Sequence, residues 1–468
     1  MFWVKIITMN RIDRKLLAAI FTLSWPTVLE QVLLTAVQYI DTAMVGQIGA
    51  AASAAVGITT SSGWLLIGAF SATGVGVLSC VAKAIGAKDY ERASGALVQA
   101  IFLALIVGAG LGITAIAVSP FLPVWLGAGA DIQRDASAYF FITNIPAPLR
   151  AAAIILGAAV RATGETKKPM QATIIAIVVN IVLNALLIGG PRTITVFSTA
   201  VTLPGAGLGV VGAAIATACC YVVNGLLMFV ALIKCPLFPK EKGSYRINRS
   251  IFRECVKIGM PVTAQKVVIN LGHIVFTALV SELGTVAIAT HTIALTAEEA
   301  FYVPGYGMQI AAATMAGNAV GEGDTRKLKT VSLTITAVTA ALIGLLSILL
   351  FLFPTSVMAF FSSDPEVIRG GANVLRIVAV SEPLFAVAVI MEGVFDGTGE
   401  VLTPFLASIF SMWVIRILLT YICVSILGLG LNSVWICMVA DNTVRCFILV
   451  VRFFKRDWSA YVKRYAAY

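Results

Sequence analysis

Residues 25–46 read WPTVLEQVLLTAVQYIDTAMVG, and two carboxylates, Glu30 and Asp41, interrupt a segment otherwise apolar enough for lipid. A charged side chain at the centre of a spanning helix costs about 2.5–3.5 kcal/mol on insertion scales, so such groups mark ion or substrate paths or find a partner. Glu30 and Asp41 are 11 residues apart, which places both on one face of a helix, about 16 Å from each other. Thr27, Gln31, Thr35, Gln38 and Thr42 follow nearly the same side. A polar stripe of this kind must face protein or water. Its candidate chemistry is reversible capture of a proton or cation by a carboxylate whose surroundings change with conformation. The structural alternative, hydrogen bonding between helices, suits the threonines. Pro26 removes a helical hydrogen bond and is expected to kink the segment. It is a candidate hinge for opening a pocket around Asp41, or a static bend.

A second acidic pair, Glu298-Glu299, lies in ALTAEEAFYVPGYG, just before Pro304 and Gly305. Either acid is a candidate substrate or ion carboxylate, and the competing reading pairs them with Lys266. Glu382 and Glu392 are expected to pair with Arg416 or Arg376, and Asp441 with Arg445 at i,i+4. His291 is expected to hydrogen-bond between helices. Tyr39, Trp64, Phe301, Tyr302 and Tyr306 are candidates to stack on an aromatic cation, against the alternative that they pack or face lipid. The substrate-binding candidates are thus Glu30, Gln38, Tyr39, Trp64, Glu298, Glu299 and Tyr306.

The elements that must position these groups follow from composition. Of 468 residues, 59% are hydrophobic and 12% charged, with mean hydropathy +0.95. Soluble domains carry about 25% charged residues, so the solvent for most of this chain is lipid. Apolar runs of about 20 residues span a bilayer as helices. Twelve such spans are expected, near 16–42, 50–80, 94–119, 138–160, 169–190, 207–233, 254–281, 286–317, 329–353, 372–395, 402–427 and 431–454. With the N-terminus inside, 25 of the 33 Lys and Arg fall in cytoplasmic segments, and only Arg134, Arg192 and Arg369 fall in outer loops. That bias places both termini in the cytoplasm. It also accounts for the net charge of +10 without nucleic acid. The basic N-terminal stretch is read as an uncleaved lead-in. The eight Cys lie mostly in apolar runs and form no C-x-x-C, so they are read as reduced packing residues without a zinc site.

The chain also repeats itself. At an offset of 235 residues Pro26 meets Pro261, Gly49 meets Gly284, and Gly86 and Asp89 meet Gly321 and Asp324. Thr163-Gly164-Glu165 meets Thr398-Gly399-Glu400, and Pro169 meets Pro404. At the last helix of each half the offset falls to 221, where GLG at 207–209 meets GLG at 428–430, because the loop around 191–206 carries a 14-residue excess. The expected architecture is an all-α polytopic membrane protein of two six-helix lobes related by a pseudo-two-fold axis along the membrane normal. The lobes are 1–234 and 254–468, joined by a polar, basic cytoplasmic linker at 235–253. Two such lobes suit alternating access.

Along nearly its whole length the chain resembles the multidrug and toxic compound extrusion (MATE) transporters. The resemblance rests on SWPTVLEQV and DTAMVGQIGA (within 24–50), RATGETKKP (161–169), NIVLNALLI (180–188) and GLGVVGAAIAT (207–217). In the second half it rests on KIGMP (257–261), ATHTIAL (289–295), VPGYGMQIAAATMAGNAVGEGD (303–324) and GVFDGTGE (393–400). It implies efflux of cationic or amphipathic compounds, driven by inward H⁺ or Na⁺. It also implies that Asp41 stands at a common coupling position, with Asn180 and Asn184 as its partners on the fifth span. Many members carry Asp where Asn184 stands, which leaves Asp41 as the main ionisable group of that cluster. Acids that some members carry on spans 7 and 10 are replaced here by apolar residues around Ile269 and Phe385. Glu298 or Glu299 is the nearest substitute.

Asn180 and Asn184, four residues apart, share a helix face and can hydrogen-bond either protonation state of a carboxyl group. GLGVVG at 207–212 follows no predicted strand and is read as close helix packing, not a dinucleotide site. No Walker sequence is present, so no cofactor is expected beyond H⁺ or Na⁺ as coupling ion. The leading expectation is a secondary antiporter of organic cations, acting as a monomer in the cell (inner) membrane. A lipid or lipid-linked oligosaccharide flippase is the alternative. A membrane-embedded enzyme would need a clustered His/Asp/Glu or Ser/His set, so no catalytic residue is assigned.

Overall fold

Lipid offers the peptide group no hydrogen-bond partner, so a chain this apolar must satisfy its backbone within each segment, and helices do so. A computed structural model describes residues 14–196, 199–203, 205–239 and 245–466. Lys5, Arg11 and the rest of the lead-in, and residues 240–244 of the linker, lie outside the described residues. The first half contains α1 (Arg14–Gly46), α2 (Ala50–Gly86), α3 (Tyr90–Val118), α4 (Leu122–Trp125), α5 (Gln133–Asn144), α6 (Ala147–Ala162), α7 (Lys167–Leu187) and α8 (Gly209–Ile233). The second contains α9 (Arg249–Ser281), α10 (Thr285–Gly321), α11 (Thr325–Leu352), α12 (Pro354–Phe361), α13 (Pro365–Ala379), α14 (Glu382–Thr398), α15 (Leu402–Ile426), α16 (Leu431–Lys455) and α17 (Trp458–Ala466).

Among the described residues, nine helices are long and apolar enough to span a membrane. The pairs α5–α6 and α13–α14 add two more spans, each bent at a short break, by 52° and 55°. These stand where spans are expected near 138–160 and 372–395. The 37-residue α10 is long enough to cross, but Glu298, Glu299 and Pro304 lower its hydropathy. Its place comes from the repeat, because α9 and α10 begin and end 235 residues after α1 and α2. The backbone repeats as well. Left-handed residues recur at that offset as Gly49 and Gly284, Gly164 and Gly399, and Lys88 and Gly323. The excess between spans 5 and 6 is an antiparallel hairpin, β1 (Arg192–Val196) and β2 (Thr199–Leu203). It is the one departure from an otherwise helical fold among the described residues.

By internal contacts the chain forms two compact units. One holds residues up to Val32, Leu78–Tyr90 and everything from Glu254 on; the other holds Leu33–Val77 and Glu91–Arg253. Helices α1 and α2 are therefore each shared between units. In the first unit the core runs along α10, α11, α14 and α16 through Met315, Ile335, Val394 and Phe453, and the C-terminal Trp458 closes it. A second apolar cluster joins Phe276, Met358, Leu375 and Trp435. In the other unit α6 and α7 pack on α8, and Val45, Ala52, Ile188, Val210 and Ala213 cluster around the start of α8.

Within the first unit, the end of α2 crosses the end of α10 at backbone contact. Gly86 lies against the Asn318 carbonyl, Gly321 against the Lys83 carbonyl, and Gly317 against Ala82. Each pair exchanges positions equivalent under the 235-residue offset, which is how two repeats meet on a two-fold axis. Only small residues let two backbones approach so closely in a membrane. A Cβ on Gly321 would overlap the Lys83 carbonyl oxygen, so Gly321→Ala should destabilise the protein by about 1–3 kcal/mol, the usual cost of overpacking. Gly110→Ala on α3, where a Cβ meets nothing within 4 Å, should cause no loss. Thermal denaturation in detergent checks both.

Candidate functional site

In the unit that holds most of the first half, α1 and α7 bring the expected carboxylate and amides together. The Asn184 Nδ2 donates to Asp41 Oδ1 at 2.6 Å and to Asn180 Oδ1 at 3.1 Å. Both Asn side chains are buried and Asp41 is half-buried, so the carboxylate is held on one side and open on the other. The four-residue spacing of Asn180 and Asn184 on α7 makes the relay; packing of α7 on α8 fixes the face that α7 turns toward α1. The Asn184 Oδ1 is buried without a partner. An amide offers both a donor and an acceptor, so this group can donate to ionised Asp41 and has an acceptor to spare for the protonated form. Tyr139 and Cys220 lie within electrostatic reach of Asp41. Sequence reasoning missed both.

The other first-half candidates are more dispersed. Gln38 and Tyr39 stand half-buried within a turn of Asp41, and Trp64 on α2 is 41% exposed. Glu30 is 4% exposed. The division of α1 after Val32 places Glu30 in one unit and Asp41 in the other. Pro26 is buried. Beside it, Thr27 Oγ1 donates to the Gly307 carbonyl at 2.8 Å, and Gly307 lies directly against the backbone of Thr27 and Val28.

The second half carries its own buried charge, on α10 and α14 and not at the α9 positions that repeat Glu30 and Asp41. Glu298 (5% exposed) and Glu382 (1%) lie against one another across α10 and α14, and neither Glu382 oxygen has a hydrogen-bond partner among the described residues. Two carboxyl groups in contact are suited to holding a proton or cation between them. Glu299 lies half-buried beside them. Tyr302, Tyr306 and Phe385 follow as a group of rings, with Tyr306 36% exposed. The expected partners of several charges are different here. Lys266 approaches Glu392, at 4.0 Å, and not Glu298 or Glu299. Glu392 accepts from Gln265 at 2.8 Å, and Gln265 also donates to Ser408. Asp441 pairs with Arg416 at 2.6 Å instead of Arg445. Of two π-helical stretches in α15, the one at Phe410–Ile417 carries Arg416; such turns shift a helix face and recur at functional sites. His291 lies edge-on between Phe276 and Trp435, and neither ring nitrogen has a hydrogen-bond partner. The rings around it leave no acceptor in reach. All eight cysteines are free.

The Arg416–Asp441 pair is buried on both sides. Removing one partner of such a pair costs about 3–5 kcal/mol, whereas replacing both by apolar groups is often neutral. Arg416→Met should therefore destabilise the protein by that amount, and Arg416→Met with Asp441→Leu should recover most of the loss in the same thermal denaturation assay.

The family model described as MatE matches residues 26–186 and again 261–422, so the second match begins on Pro261, the residue that the repeat pairs with Pro26. A protein of Thermotoga maritima named a probable multidrug resistance protein NorM is 24% identical over 437 residues, covering 93% of this chain and 92% of its own. Among solved structures, one of MATE in the straight conformation superposes with a TM-score of 0.85 at 25% identity, covering 95% of this chain and 96% of that one. One of MATE in the bent conformation gives 0.84 at 25%, covering 96% and 97%.

Proposed function

The chain belongs to the multidrug and toxic compound extrusion (MATE) family, and from that premise we propose that it exports organic cations in exchange for H⁺, with Asp41 as the carboxylate that carries the coupling proton. The protein is a multi-pass membrane transporter for multidrug efflux, not an enzyme. The observation that carries the finer reading is the 2.6 Å bond from Asn184 to Asp41. The amide stabilises the ionised carboxylate while leaving its other side open. In the outward-open state Asp41 takes a proton and loses its charge, and bound cation leaves. In the inward-open state it releases the proton to the cytoplasm and accepts cation. Proton and substrate exclude one another because one negative charge attracts both.

The sharing of α1 and α2 between the two compact units supports alternating access. Any movement between units has to bend α1 near Val32, six residues from Pro26, and α2 near Leu78. Solved MATE structures in bent and straight conformations are in keeping with a hinge at Pro26. The excess of Lys and Arg at one membrane face supports cytoplasmic termini in the cell (inner) membrane, and a monomer suffices for the cycle. The flippase reading is weaker. An anionic headgroup needs several free basic residues, yet of five in or beside the spans Arg416 is tied to Asp441, Lys266 faces Glu392 and Arg150 lies over the Tyr221 ring at 4.5 Å, which leaves Arg376 and Arg445.

Inside-out vesicles test the reading. An acid interior should drive ethidium accumulation, and Asp41→Asn should abolish it while the protein remains folded. Retention of ΔpH-driven uptake by Asp41→Asn would contradict the role given to Asp41, and uptake driven by a Na⁺ gradient alone would make Na⁺ the coupling ion.

A further inference from the structure

Three rings of the second half meet at steep angles. Tyr302 and Phe385 have centroids 5.1 Å apart and planes at 56°; Tyr302 and Tyr306 are at 5.9 Å and 89°; Tyr306 and Phe385 are at 6.4 Å and 84°. Rings set across one another meet edge to face, and a ring face not covered in this way remains for another partner. Such a face attracts organic cations. The acids Glu298, Glu299 and Glu382 lie within electrostatic reach of Tyr302, and Glu299 and Glu382 within reach of Tyr306 as well.

A cation already occupies this surface. The Arg445 guanidinium lies 5.5 Å over the Phe385 ring and within electrostatic reach of Tyr306. It is held otherwise by little. A guanidinium has five N–H donors, yet Arg445 reaches Asn442 Oδ1 only at 3.4 Å, and its buried Nε has no partner. It forms no ion pair among the described residues. Arg416 on the neighbouring helix, by contrast, is fixed by its 2.6 Å pair with Asp441. One arginine is locked in place, while the other rests on a ring.

We propose that Tyr302, Tyr306 and Phe385 form an organic-cation subsite, that the Arg445 guanidinium is its resident occupant in this conformation, and that a cationic substrate binds by displacing it. The proposal rests on the reading of the protein as a cation exporter. It also defines a substrate class. A planar cation with delocalised charge matches what guanidinium offers to a ring, weak hydration and a flat face, whereas a compact and strongly hydrated ammonium does not. Arg445 thereby sets a threshold that a substrate must exceed.

Equilibrium binding of ethidium to the full-length protein in detergent, followed by its fluorescence, tests this. Arg445→Gln should tighten binding by about two-fold to thirty-fold, the range a cation–π contact spans. Arg445→Lys, charged but not planar, should fall between. Phe385→Leu should weaken binding, and in that background Arg445→Gln should bring no gain. Arg445→Gln that elutes as a folded protein yet binds ethidium no more tightly than wild type would overturn the proposal. So would an equal gain in the Phe385→Leu background, which would reveal a general charge effect without a ring site. Wild-type protein that binds no ethidium would instead overturn the cation-export reading beneath it.

Discussion

The coupling proposed for this protein depends on one hydrogen bond, from the Asn184 amide to the Asp41 carboxylate. A carboxylate inside a membrane protein is stable only if protein atoms replace water around it. Asn184 does this on one side, and Asn180 in turn orients Asn184. An Asp at position 184 would add a second charge, and an apolar residue would leave Asp41 unsupported. The amide pair is the neutral arrangement that tolerates both the charged and the uncharged carboxyl group, which a carrier must visit in every cycle.

The second half meets the same constraint differently. Its acids lean on one another, as Glu298 on Glu382; on a base, as Asp441 on Arg416; or on an amide, as Glu392 on Gln265. The repeat therefore conserves the backbone and not the chemistry. Left-handed turns recur at the 235-residue offset, while Gln265 and Phe276 stand where Glu30 and Asp41 stand in the first half. A duplicated scaffold has freed one half to hold an isolated carboxylate and the other to hold a network.

Much of the scaffold is legible in the sequence because lipid punishes polar residues outright. Runs of apolar residues, Pro and Gly at one offset, and a bias of Lys and Arg need no knowledge of packing. The neighbours of Asp41 were legible through family resemblance and four-residue spacing. Partner choice was not. Spacing along α16 suggests Asp441 with Arg445, but an i,i+4 pair is worth only a few tenths of a kcal/mol. A buried carboxylate takes the cation that tertiary packing brings nearest, and the π-helical turn at Phe410–Ile417 delivers Arg416. The bends in α5–α6 and α13–α14 likewise depend on neighbours that hydropathy cannot see. The meeting of Glu298 with Glu382 joins residues 84 positions apart, and no local pattern reports it.

Competition between proton and substrate at Asp41 is the central claim, and proton release on binding measures it without transport. Purified protein in weakly buffered detergent, held at a pH where Asp41 is protonated, is mixed with saturating ethidium while the pH is recorded. The account predicts about one proton released per ethidium bound by wild type and none by Asp41→Asn. Equal release from both proteins, or binding by wild type with no release at any pH, would contradict it.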